Sequence, residues 1–437
     1  MGRTPSHRIV IVGGGAGGLA LATKLGQRLG KRGKAEITLV DRNLVHVWKP
    51  LFHEVAAGTL DSREDAISFL AQASRNHFQF QIGSMSGLDR EAKTIEIAAM
   101  YDETGHKIVP ARTLPYDTLI IAVGSISNHF GTPGAEEHCL HLDTLTEAEN
   151  FQRKLVQVLL RAQALPPAPG NALKVAIIGG GATGVELAAE LHNAAHRAVH
   201  YGLKNIDPER DLKITLIEGA ERLLPPLSPK LSAKTEIQLR KIGVDVRTGE
   251  LVTEVRKDGV TTKSGQFLPS DITVWAAGIK APEFLTQLGL ETNRINQLVV
   301  RQDLRTTQDD NIFAFGDCAS CPQPGSDRPV PPRAQSAHQQ AEYLARTLPR
   351  HIAKHPVKEG FVYYDRGSLI SLSEDHAVGR LMGNLFGNVM IEGMLARLAY
   401  TSLYKRHLAT LNGPLRTTVM SAAQLLTRPI KPRLKLH

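Results

Sequence analysis

Three glycines near the start of the chain have the spacing of a phosphate-binding loop. Gly13, Gly15 and Gly18 follow a short apolar run in the pattern G-x-G-x-x-G, and a helical apolar stripe comes next. In such a strand–turn–helix unit the first glycine makes the tight turn, the second admits a pyrophosphate, and the third lets helix pack on strand. Asp41 ends the next apolar run, where a carboxylate accepts hydrogen bonds from ribose hydroxyls. This stretch therefore predicts a dinucleotide site.

The same pattern occurs again further along the chain. Gly179, Gly181 and Gly184 follow a second apolar run, and Glu218 ends the run after that. The interval from Gly184 to Glu218 is longer than the usual ~20 residues. We therefore predict an insertion within residues 193–211. Two dinucleotide folds in one chain imply two dinucleotides, and the natural pair is a tightly held flavin with a diffusible nicotinamide.

Two buried runs end in small residues, as a strand must where its backbone meets a bound cofactor. Residues 118–123 lead through Ala122 to Gly124, and residues 273–277 lead to Gly278. The two halves of the chain therefore share the strand that ends in small residues as well as the glycine loop. Between these elements we expect a helix over residues 61–77, short strands over 78–98, a helix over 144–164, and a linker at 165–171. Trp48, Lys49 and Pro50 either line the path from adenosine to the redox ring or form a plain loop.

Composition bounds the class of protein. The 437 residues suggest two or three domains, and the 42% hydrophobic content is ordinary for a globular chain. No apolar run reaches the about 18 residues of a membrane-spanning helix, and no signal peptide is expected ahead of the first strand. Three cysteines are too few for a disulfide framework and suit a reducing compartment. Of the formal charge of +9, most lies after residue 389, where eight Lys and Arg face one acidic residue. That excess predicts contact with an anionic surface.

A third buried run, residues 312–315, ends in Gly316-Asp317 after the second nucleotide fold. Two nested nucleotide folds with a terminal Gly-Asp resemble the glutathione-reductase-like flavoproteins, in which the aspartate binds the ribityl chain of FAD. No cysteine precedes Cys139, which excludes the disulfide reductases and NADH peroxidases of that class. The placement of the cysteines also argues against a sulfide–quinone reductase.

The segment 334–339 has the pattern A-Q-x-A-x-Q, which resembles the quinone-site helix of the type II NADH dehydrogenases. Residues 8–41, 174–186 and 274–282 and the basic tail also look like the bacterial members of this family of single-subunit respiratory enzymes. The resemblance covers essentially the whole chain. It implies a non-pumping NADH:quinone oxidoreductase at the cytoplasmic face of the inner membrane, with a possible homodimer and no nucleic acid partner.

The resemblance also implies site residues. FAD would be bound by Gly13, Gly15, Gly18, Asp41, Ala122, Gly124 and Asp317. NADH would be bound by Gly179, Gly181, Gly184, Glu218 and Gly278. A carboxylate at Glu218 repels a 2′-phosphate, so NADH is expected over NADPH. Arg222 is the nearby residue that could weaken this preference.

The predicted catalytic residues lie at two places. Glu186 follows the third glycine of the second motif and would orient the nicotinamide or relay a proton, unless it is only a first-turn acid favoured by the helix dipole. Gln335, His338 and Gln339 would lie beside the flavin, where His338 and Gln339 could donate hydrogen bonds to a quinone carbonyl. On a bare helix such residues are more often surface polar groups.

Cys318 and Cys321 form a C-x-x-C pair, which is half a zinc site with no second pair to complete it. We interpret the pair as structural, with metal binding or redox sensing as the alternative, and predict no metal site. From residue 391 the chain mixes apolar faces with basic residues and tyrosines. That pattern predicts helices lying in a membrane surface, with the final basic cluster facing anionic headgroups. The alternative is a dimer helix with a solvated tail.

The predicted fold class is α/β, with two Rossmann-like dinucleotide-binding domains and a C-terminal amphipathic helical segment that binds membrane. The expected domains are residues 1–165 (FAD, first part), 166–285 (NADH), 286–355 (FAD, return segment) and 356–437 (membrane association). The rival functions are a flavin-dependent NADH reductase of a soluble acceptor, a copper-binding flavoprotein, and a flavin scaffold whose tail binds nucleic acid.

Overall fold

A computed structural model describes residues 6–64, 66–164, 172–357, 359–371, 377–383, 387–427 and 434–435. The predicted linker at 165–171 and most of the final basic cluster lie outside these residues. The helices are α1 (Ala16–Arg28), α2 (Phe52–Ala56), α3 (Phe69–Asn76), α4 (Ala135–His138), α5 (Leu145–Ala164), α6 (Ala182–His200), α7 (Pro208–Asp211), α8 (Pro229–Lys241), α9 (Ala334–Ile352), α10 (Gly393–Asn412) and α11 (Pro414–Thr427). Short 3-10 turns occur at Gly30–Arg32, Lys49–Leu51, Glu283–Gln287 and Gly316–Cys318.

Two five-stranded parallel sheets form the frame of the molecule. The first has the order Ile312–Ala314, Thr118–Ile121, His7–Val12, Ala35–Asp41, Gln79–Ile82. The second has the order Cys139–Leu140, Ile272–Trp275, Leu173–Ile178, Leu212–Glu218, Asp245–Thr248. In both sheets the strand that leads into the glycine loop is central, because its apolar run is buried on both faces. The α/β fold class with paired Rossmann-like sheets is confirmed.

Smaller sheets surround this frame, and those described are antiparallel except for the parallel pair of Leu298–Val299 with Ala319–Ser320. The three-stranded sheets are Arg112–Pro115 with Thr94–Ile97 and Met85–Asp89, Val252–Arg256 with Gly259–Thr262 and Phe267–Pro269, and Gly367–Ser371 with Ala377–Gly383 and Gly387–Glu392. The strand pairs are Ile126–Ser127 with Ile279–Lys280, Leu298–Val299 with Ala319–Ser320, Val45–His46 with Ile67–Ser68, and Met100–Tyr101 with Lys107–Val109.

The hydrophobic core has two main parts, one for each parallel sheet. The first packs α1 and α9 against the first sheet, with Leu19, Leu25 and Phe315 fully buried. The second packs α2, α5 and α6 together, and Phe151 and Leu187 lie at its centre. The two helices that begin at the glycine loops are therefore each held by a full apolar face, which fixes the loops that precede them.

Secondary-structure predictions from the sequence are correct for segments that form a single kind of element. The helix over residues 144–164, the short strands over 78–98 and the insertion within 193–211 are confirmed. The predicted helix over residues 61–77 is wrong in its first half. Ile67–Ser68 is a strand, and α3 begins only after Ser68, whose hydroxyl accepts a hydrogen bond from the Ala71 amide. That cap starts the helix at Phe69.

The C-terminal region combines strands and helices. The expected helices after residue 391 are confirmed as α10 and α11. A three-stranded antiparallel sheet of Gly367–Ser371, Ala377–Gly383 and Gly387–Glu392 precedes them, and the sequence pattern did not predict it. Within the described residues, we find no helix with both the length and the apolarity that a bilayer crossing requires.

Candidate active site

The first glycine loop forms a cradle that excludes side chains from its own backbone. Gly13 has φ of +105°, and a Cβ there would stand 2.3 Å from the Ala122 carbonyl oxygen. A Cβ on Gly18 would stand 1.8 Å from the Gly13 carbonyl oxygen, whereas Gly15 has no neighbour within 4 Å. The turn is therefore closed on the protein side and open at Gly15, where a phosphate needs the space. At the far end the Asp41 carboxylate accepts a hydrogen bond of 2.6 Å from the Gly14 amide.

The second loop repeats this geometry. Gly179 has φ of +112°, and a Cβ on Gly184 would stand 2.0 Å from the Gly179 carbonyl oxygen. Gly181 faces open space, as Gly15 does. The Glu218 carboxylate accepts hydrogen bonds from the amides of Gly180 (2.6 Å) and Ala220 (2.7 Å). Both loops thus fit a dinucleotide pyrophosphate with a ribose-binding carboxylate beside it.

A short strand pair joins the two halves of the site. Ile126–Ser127 pairs antiparallel with Ile279–Lys280, directly after the two small-residue strand ends. Gly124 and Gly278 have φ of +74° and +62°, so each reverses the chain in a conformation that favours glycine. Gly124 faces open space, and Gly278 lies against the ring of Phe130. The link sets the two dinucleotide cradles beside one another.

Asp317 lies at the return of the chain to the first sheet. Its carboxylate accepts a hydrogen bond of 3.0 Å from the Ser125 hydroxyl, and burial raises its pKa. The turn is fixed by Gln340, whose side-chain oxygen accepts from the Gly316 amide at 2.8 Å. Ser125 and Gln340 were not predicted from the sequence, although both lie within a few residues of predicted site positions. The donors and open space here fit the FAD that the sequence implies.

Glu186 lies in a buried pair with His53. Its Oε2 is 3.7 Å from His53 Nδ1, and the two side chains are 7% and 3% exposed. Helix α6 has no acidic residue in its first turn, so the alternative of a first-turn dipole acid is wrong. Burial lowers the pKa of His53 to about 4, which keeps the imidazole neutral near pH 7. The sequence contained no signal for this pair, because α2 brings His53 to α6 across more than a hundred residues.

The predicted quinone-site glutamines hold a neighbouring segment in place. Gln339 donates to the Tyr364 carbonyl (2.8 Å) and accepts from the Tyr364 amide (3.1 Å). Gln335 accepts from the Arg366 amide (2.8 Å) and donates to the Gly367 carbonyl (3.2 Å). These backbone contacts show that neither glutamine is a simple surface group. They brace residues 364–367 across the start of α9.

His338 lies on the same helix between charged groups. Its Nε2 is 3.3 Å from the Glu342 carboxylate, without the geometry of a hydrogen bond, and Glu342 also pairs with Lys24 at 3.3 Å. Burial lowers the pKa of His338. The same helix packs beside the Gly-Asp turn and α1, since a Cβ on Gly316 would stand 3.4 Å from the Ala337 Cβ and a Cβ on Gly17 would stand 3.0 Å from the Ala337 carbonyl oxygen. A neutral imidazole is thus held near the flavin end of α1.

Trp48 and Lys49 diverge at the start of a 3-10 turn. Lys49 Nζ donates to the Ser125 carbonyl (2.9 Å) and contacts the Asp143 carboxylate (3.2 Å). The Trp48 ring packs at 4.2 Å on His407 of α10. The segment is therefore no plain loop: Lys49 faces the Asp317 side, and Trp48 holds the C-terminal helix.

Cys318 and Cys321 are buried free thiols. Cys318 Sγ donates to the Phe315 carbonyl at 3.3 Å, and Cys321 Sγ to the Pro322 carbonyl at 3.5 Å. Burial raises the pKa of each thiol to about 12. Metal binding and oxidation both require the thiolate. The geometry therefore favours the structural interpretation over the metal or redox alternative.

Arg222 is turned away from the Glu218 carboxylate. Its guanidinium donates to the carbonyls of Leu227 (2.7 Å) and Pro225 (2.6 Å) and to the Ser232 hydroxyl (2.8 Å). The guanidinium would have to break these hydrogen bonds before it could pair with the 2′-phosphate of NADPH. This arrangement supports the predicted preference for NADH.

Replacement of Glu218 by glutamine is expected to weaken that preference. The change keeps the size of the side chain but removes the charge that repels a 2′-phosphate. We expect the ratio of kcat/KM for NADH over NADPH to fall roughly tenfold, because a hydrogen bond to a charged group contributes about 1.5 kcal/mol or more. Glu221→Gln, an exposed neighbour, is the matched control and should leave the ratio unchanged. An unchanged ratio in Glu218→Gln would contradict the assignment.

Comparison with known proteins agrees with this geometry. The family model described as pyridine nucleotide-disulphide oxidoreductase matches residues 7–341. That class has the paired dinucleotide cradles found here. Among curated relatives, a type II NADH:quinone oxidoreductase of Haemophilus influenzae is 43% identical over 98% of this chain and 99% of its own. Another, from Mycobacterium tuberculosis, is 29% identical over 93% of this chain and 85% of its own.

A solved structure shares the fold. The NDH2 of Plasmodium falciparum in complex with NADH superposes with a TM-score of 0.79 at 20% identity, covering 95% of this chain and 97% of its own. The chain belongs to the type II NADH:quinone oxidoreductases, as the sequence resemblance indicated. It is accordingly a flavin-dependent oxidoreductase that uses NADH.

Proposed function

We propose that this chain oxidises NADH with a quinone, through FAD, as its family does. The observation that carries the proposal is the pair of matched cradles at Gly13–Gly18 and Gly179–Gly184, joined by one short strand pair. FAD held at the Gly13–Gly18 cradle would supply the redox chemistry, since a flavin can take a hydride from NADH and give two electrons to a quinone. The two glycine loops would bind the pyrophosphates, and the carboxylates of Asp41 and Glu218 would bind the riboses.

The residue we assign to the nicotinamide side is Glu186. It lies in the second turn of α6, just after the loop that binds the NADH pyrophosphate, and it is buried against neutral His53. A buried carboxylate beside a neutral imidazole can hold a proton or orient an amide. His53 is a positioning residue that fixes the rotamer of Glu186.

The quinone side is assigned to the start of α9. Gln335 and Gln339 act there as positioning residues, because their amides hold residues 364–367 across the helix. His338 is the candidate donor to a quinone carbonyl, since its Nε2 makes no hydrogen bond to the described residues. A hydrogen bond from the neutral His338 imidazole would stabilise the negative charge that develops on the quinone carbonyl, and would therefore favour quinone reduction.

The test is NADH oxidation by purified, lipid-supplemented protein with a ubiquinone analogue, beside the same assay with NADPH. Rapid quinone-dependent oxidation of NADH, and much slower oxidation of NADPH, is the expected result. Flavin reduction by NADH without quinone turnover would overturn the respiratory assignment and favour a soluble acceptor.

We also propose that α10 and α11 attach the chain to the cytoplasmic face of the membrane. Helix α11 presents an exposed apolar stripe in which Leu415, Val419 and Leu426 are 77%, 63% and 78% exposed. Their spacing places them on one helix face. An apolar stripe beside the basic residues of this region suits an interfacial helix on anionic lipid.

The C-terminal helices are anchored to the flavin-binding half. The Nε2 atoms of His407 in α10 and His46 are 3.0 Å apart. The Gln72 side-chain amide donates a hydrogen bond of 2.8 Å to the side-chain oxygen of Asn412. A lipid surface at α11 is thus held in fixed relation to the flavin site, as a lipid-soluble substrate requires. Lys435 departs from the predicted lipid-facing cluster: its side chain is 11% exposed and lies 4.0 Å from Asp61.

Charges placed on the apolar stripe should release the protein from vesicles. For Leu415→Asp with Val419→Asp and Leu426→Asp, we expect binding to anionic vesicles to weaken roughly a hundredfold or more, because each buried apolar side chain contributes about 1.5 kcal/mol or more. Co-sedimentation with vesicles measures this. Ile237→Asp, at an exposed apolar position on α8, is the control and should bind normally. A change in oligomeric state with unchanged vesicle binding would instead indicate a dimer helix.

A further inference from the structure

Three side chains with metal-ligating atoms meet outside the dinucleotide sites. His192 and His196 lie one turn apart on α6, and Glu209 comes from α7. One ligand atom from each lies within 4.8 Å of the other two. His196 Nε2 is 3.4 Å from the Glu209 carboxylate, and the two imidazole rings are 4.3 Å apart. It is the one such group of three that the described part of the chain contains.

The insertion after α6 is what supplies the carboxylate. Residues 193–211 lengthen the second nucleotide fold beyond the usual interval, and α7 is the last turn of that extra length. Asp207 caps α7 by accepting from the Glu209 amide at 3.1 Å, and Lys213 Nζ donates to the Glu209 carbonyl at 2.6 Å. The backbone that carries Glu209 is thus fixed before any ligand binds.

Other contacts bring the insertion to the same place. Asn205 donates to Gln163 of α5 through its backbone amide (3.0 Å) and its side chain (2.8 Å). These bonds are exposed and therefore weak alone. Residues 201–211 are consequently held by α5 at Asn205 and by Lys213 at Glu209, and Glu209 faces the histidine pair on α6.

The donor set has a definite chemical preference. Two imidazole nitrogens and one carboxylate oxygen are typical zinc ligands, with a water completing four-coordination. Hard cations such as Mg²⁺ prefer all-oxygen sites.

We propose that His192, His196 and Glu209 bind Zn²⁺, and that the bound ion fastens residues 201–211, the part of the insertion that follows α6, to that helix. No electron transfer or bond change is involved. The site lies outside the residues that hold either dinucleotide, so its role is to stiffen the NADH-binding half. Because the metal binds the folded chain and not the unfolded one, it should raise the thermal stability of the protein.

The experiment uses the FAD-loaded protein, first stripped with a chelator and then titrated with Zn²⁺. Bound metal is measured by elemental analysis after desalting, and Tm is measured in parallel. His196→Gln and Glu209→Gln are the test variants, since both side chains are exposed and their loss should not disturb folding. His200→Gln is the matched control on the same helix, exposed and outside the cluster. All cysteines are kept, so any thiol-bound metal is common to every variant.

We expect one Zn²⁺ per chain and a higher Tm in the parent protein and in His200→Gln. Both effects should be lost in His196→Gln and Glu209→Gln, and Mg²⁺ should produce neither. Protection from limited proteolysis within residues 201–211 should follow Zn²⁺ in the parent only. Unchanged zinc content in the two test variants, or none in the parent, would overturn the proposal.

Discussion

Replacement of Gly18 by alanine is expected to strip FAD from the protein and to lower its Tm. The added Cβ would stand 1.8 Å from the Gly13 carbonyl oxygen, and both groups belong to backbone that cannot rotate away. Helix α1 must then move off the first sheet, where its apolar face is fully buried. Overpacking of this kind costs about 3 kcal/mol or more where no flexible side chain can yield. Flavin absorbance after gel filtration and thermal denaturation measure the two effects.

Gly15→Ala separates cofactor binding from folding. No atom of the protein lies within 4 Å of a Cβ at Gly15, and its φ of −64° suits any residue. We therefore expect the cofactor-free form of Gly15→Ala to denature at the parental Tm but to bind FAD weakly. If Gly15→Ala retains FAD normally, the pyrophosphate does not lie at this loop. If Gly18→Ala retains both FAD and the parental Tm, that result would contradict the close packing of α1 against the Gly13 carbonyl.

Replacement of Glu186 by glutamine is expected to slow flavin reduction by NADH. The amide keeps the shape of the side chain and its contact with His53, but it can neither carry a proton nor hold a negative charge. General acid–base groups contribute about a hundredfold or more to rate. We therefore expect a roughly hundredfold slower reductive half-reaction in stopped flow, with FAD content unchanged. Reoxidation of the flavin by quinone should keep its parental rate.

Two further variants distinguish catalysis from packing. Glu190→Gln lies one turn further along α6, where Glu190 pairs with Arg197, and it should reduce the flavin at the parental rate. His53→Gln should lower kcat less than Glu186→Gln does and leave KM for NADH unchanged, as a positioning residue would. The pKa of His53 is lowered to about 4 by burial, so any step in the rate between pH 6 and pH 8 should persist in this variant. A parental rate in Glu186→Gln would remove it from the mechanism.

The parts of the fold that the structure confirms are those that the local sequence determines. Gly13, Gly18 and Asp41 lie within one strand–turn–helix–strand unit, so their spacing alone fixes their geometry. The turn at Asp317 could be predicted as the end of a strand because a Gly-Asp pair follows a buried apolar run. The repeat of the pattern at Gly179 then determined the number of nucleotide folds.

The features that were missed depend on contacts between distant segments. His53 reaches Glu186 only because α2 packs against α6, and no spacing rule links them. Glu209 joins His192 through an insertion whose path the sequence does not specify. The strands between residues 367 and 392 are short and mixed in composition, so their sequence pattern does not predict them. Their antiparallel pairing defines the sheet.

Lys435 carries a consequence for how the C-terminus is altered in the laboratory. Its amide donates to the Gly58 carbonyl at 2.7 Å, and its carbonyl accepts from Gln152 at 2.8 Å, just beyond the end of α2. The preceding Leu434 is buried in the same core as Phe52. A bulky fusion at the end of the chain is therefore expected to loosen the packing around α2, the helix that carries His53. A deletion after residue 427 has the same effect and also removes basic residues. Lost activity in such a shortened protein reports on the nicotinamide side of the enzyme as much as on its attachment to lipid.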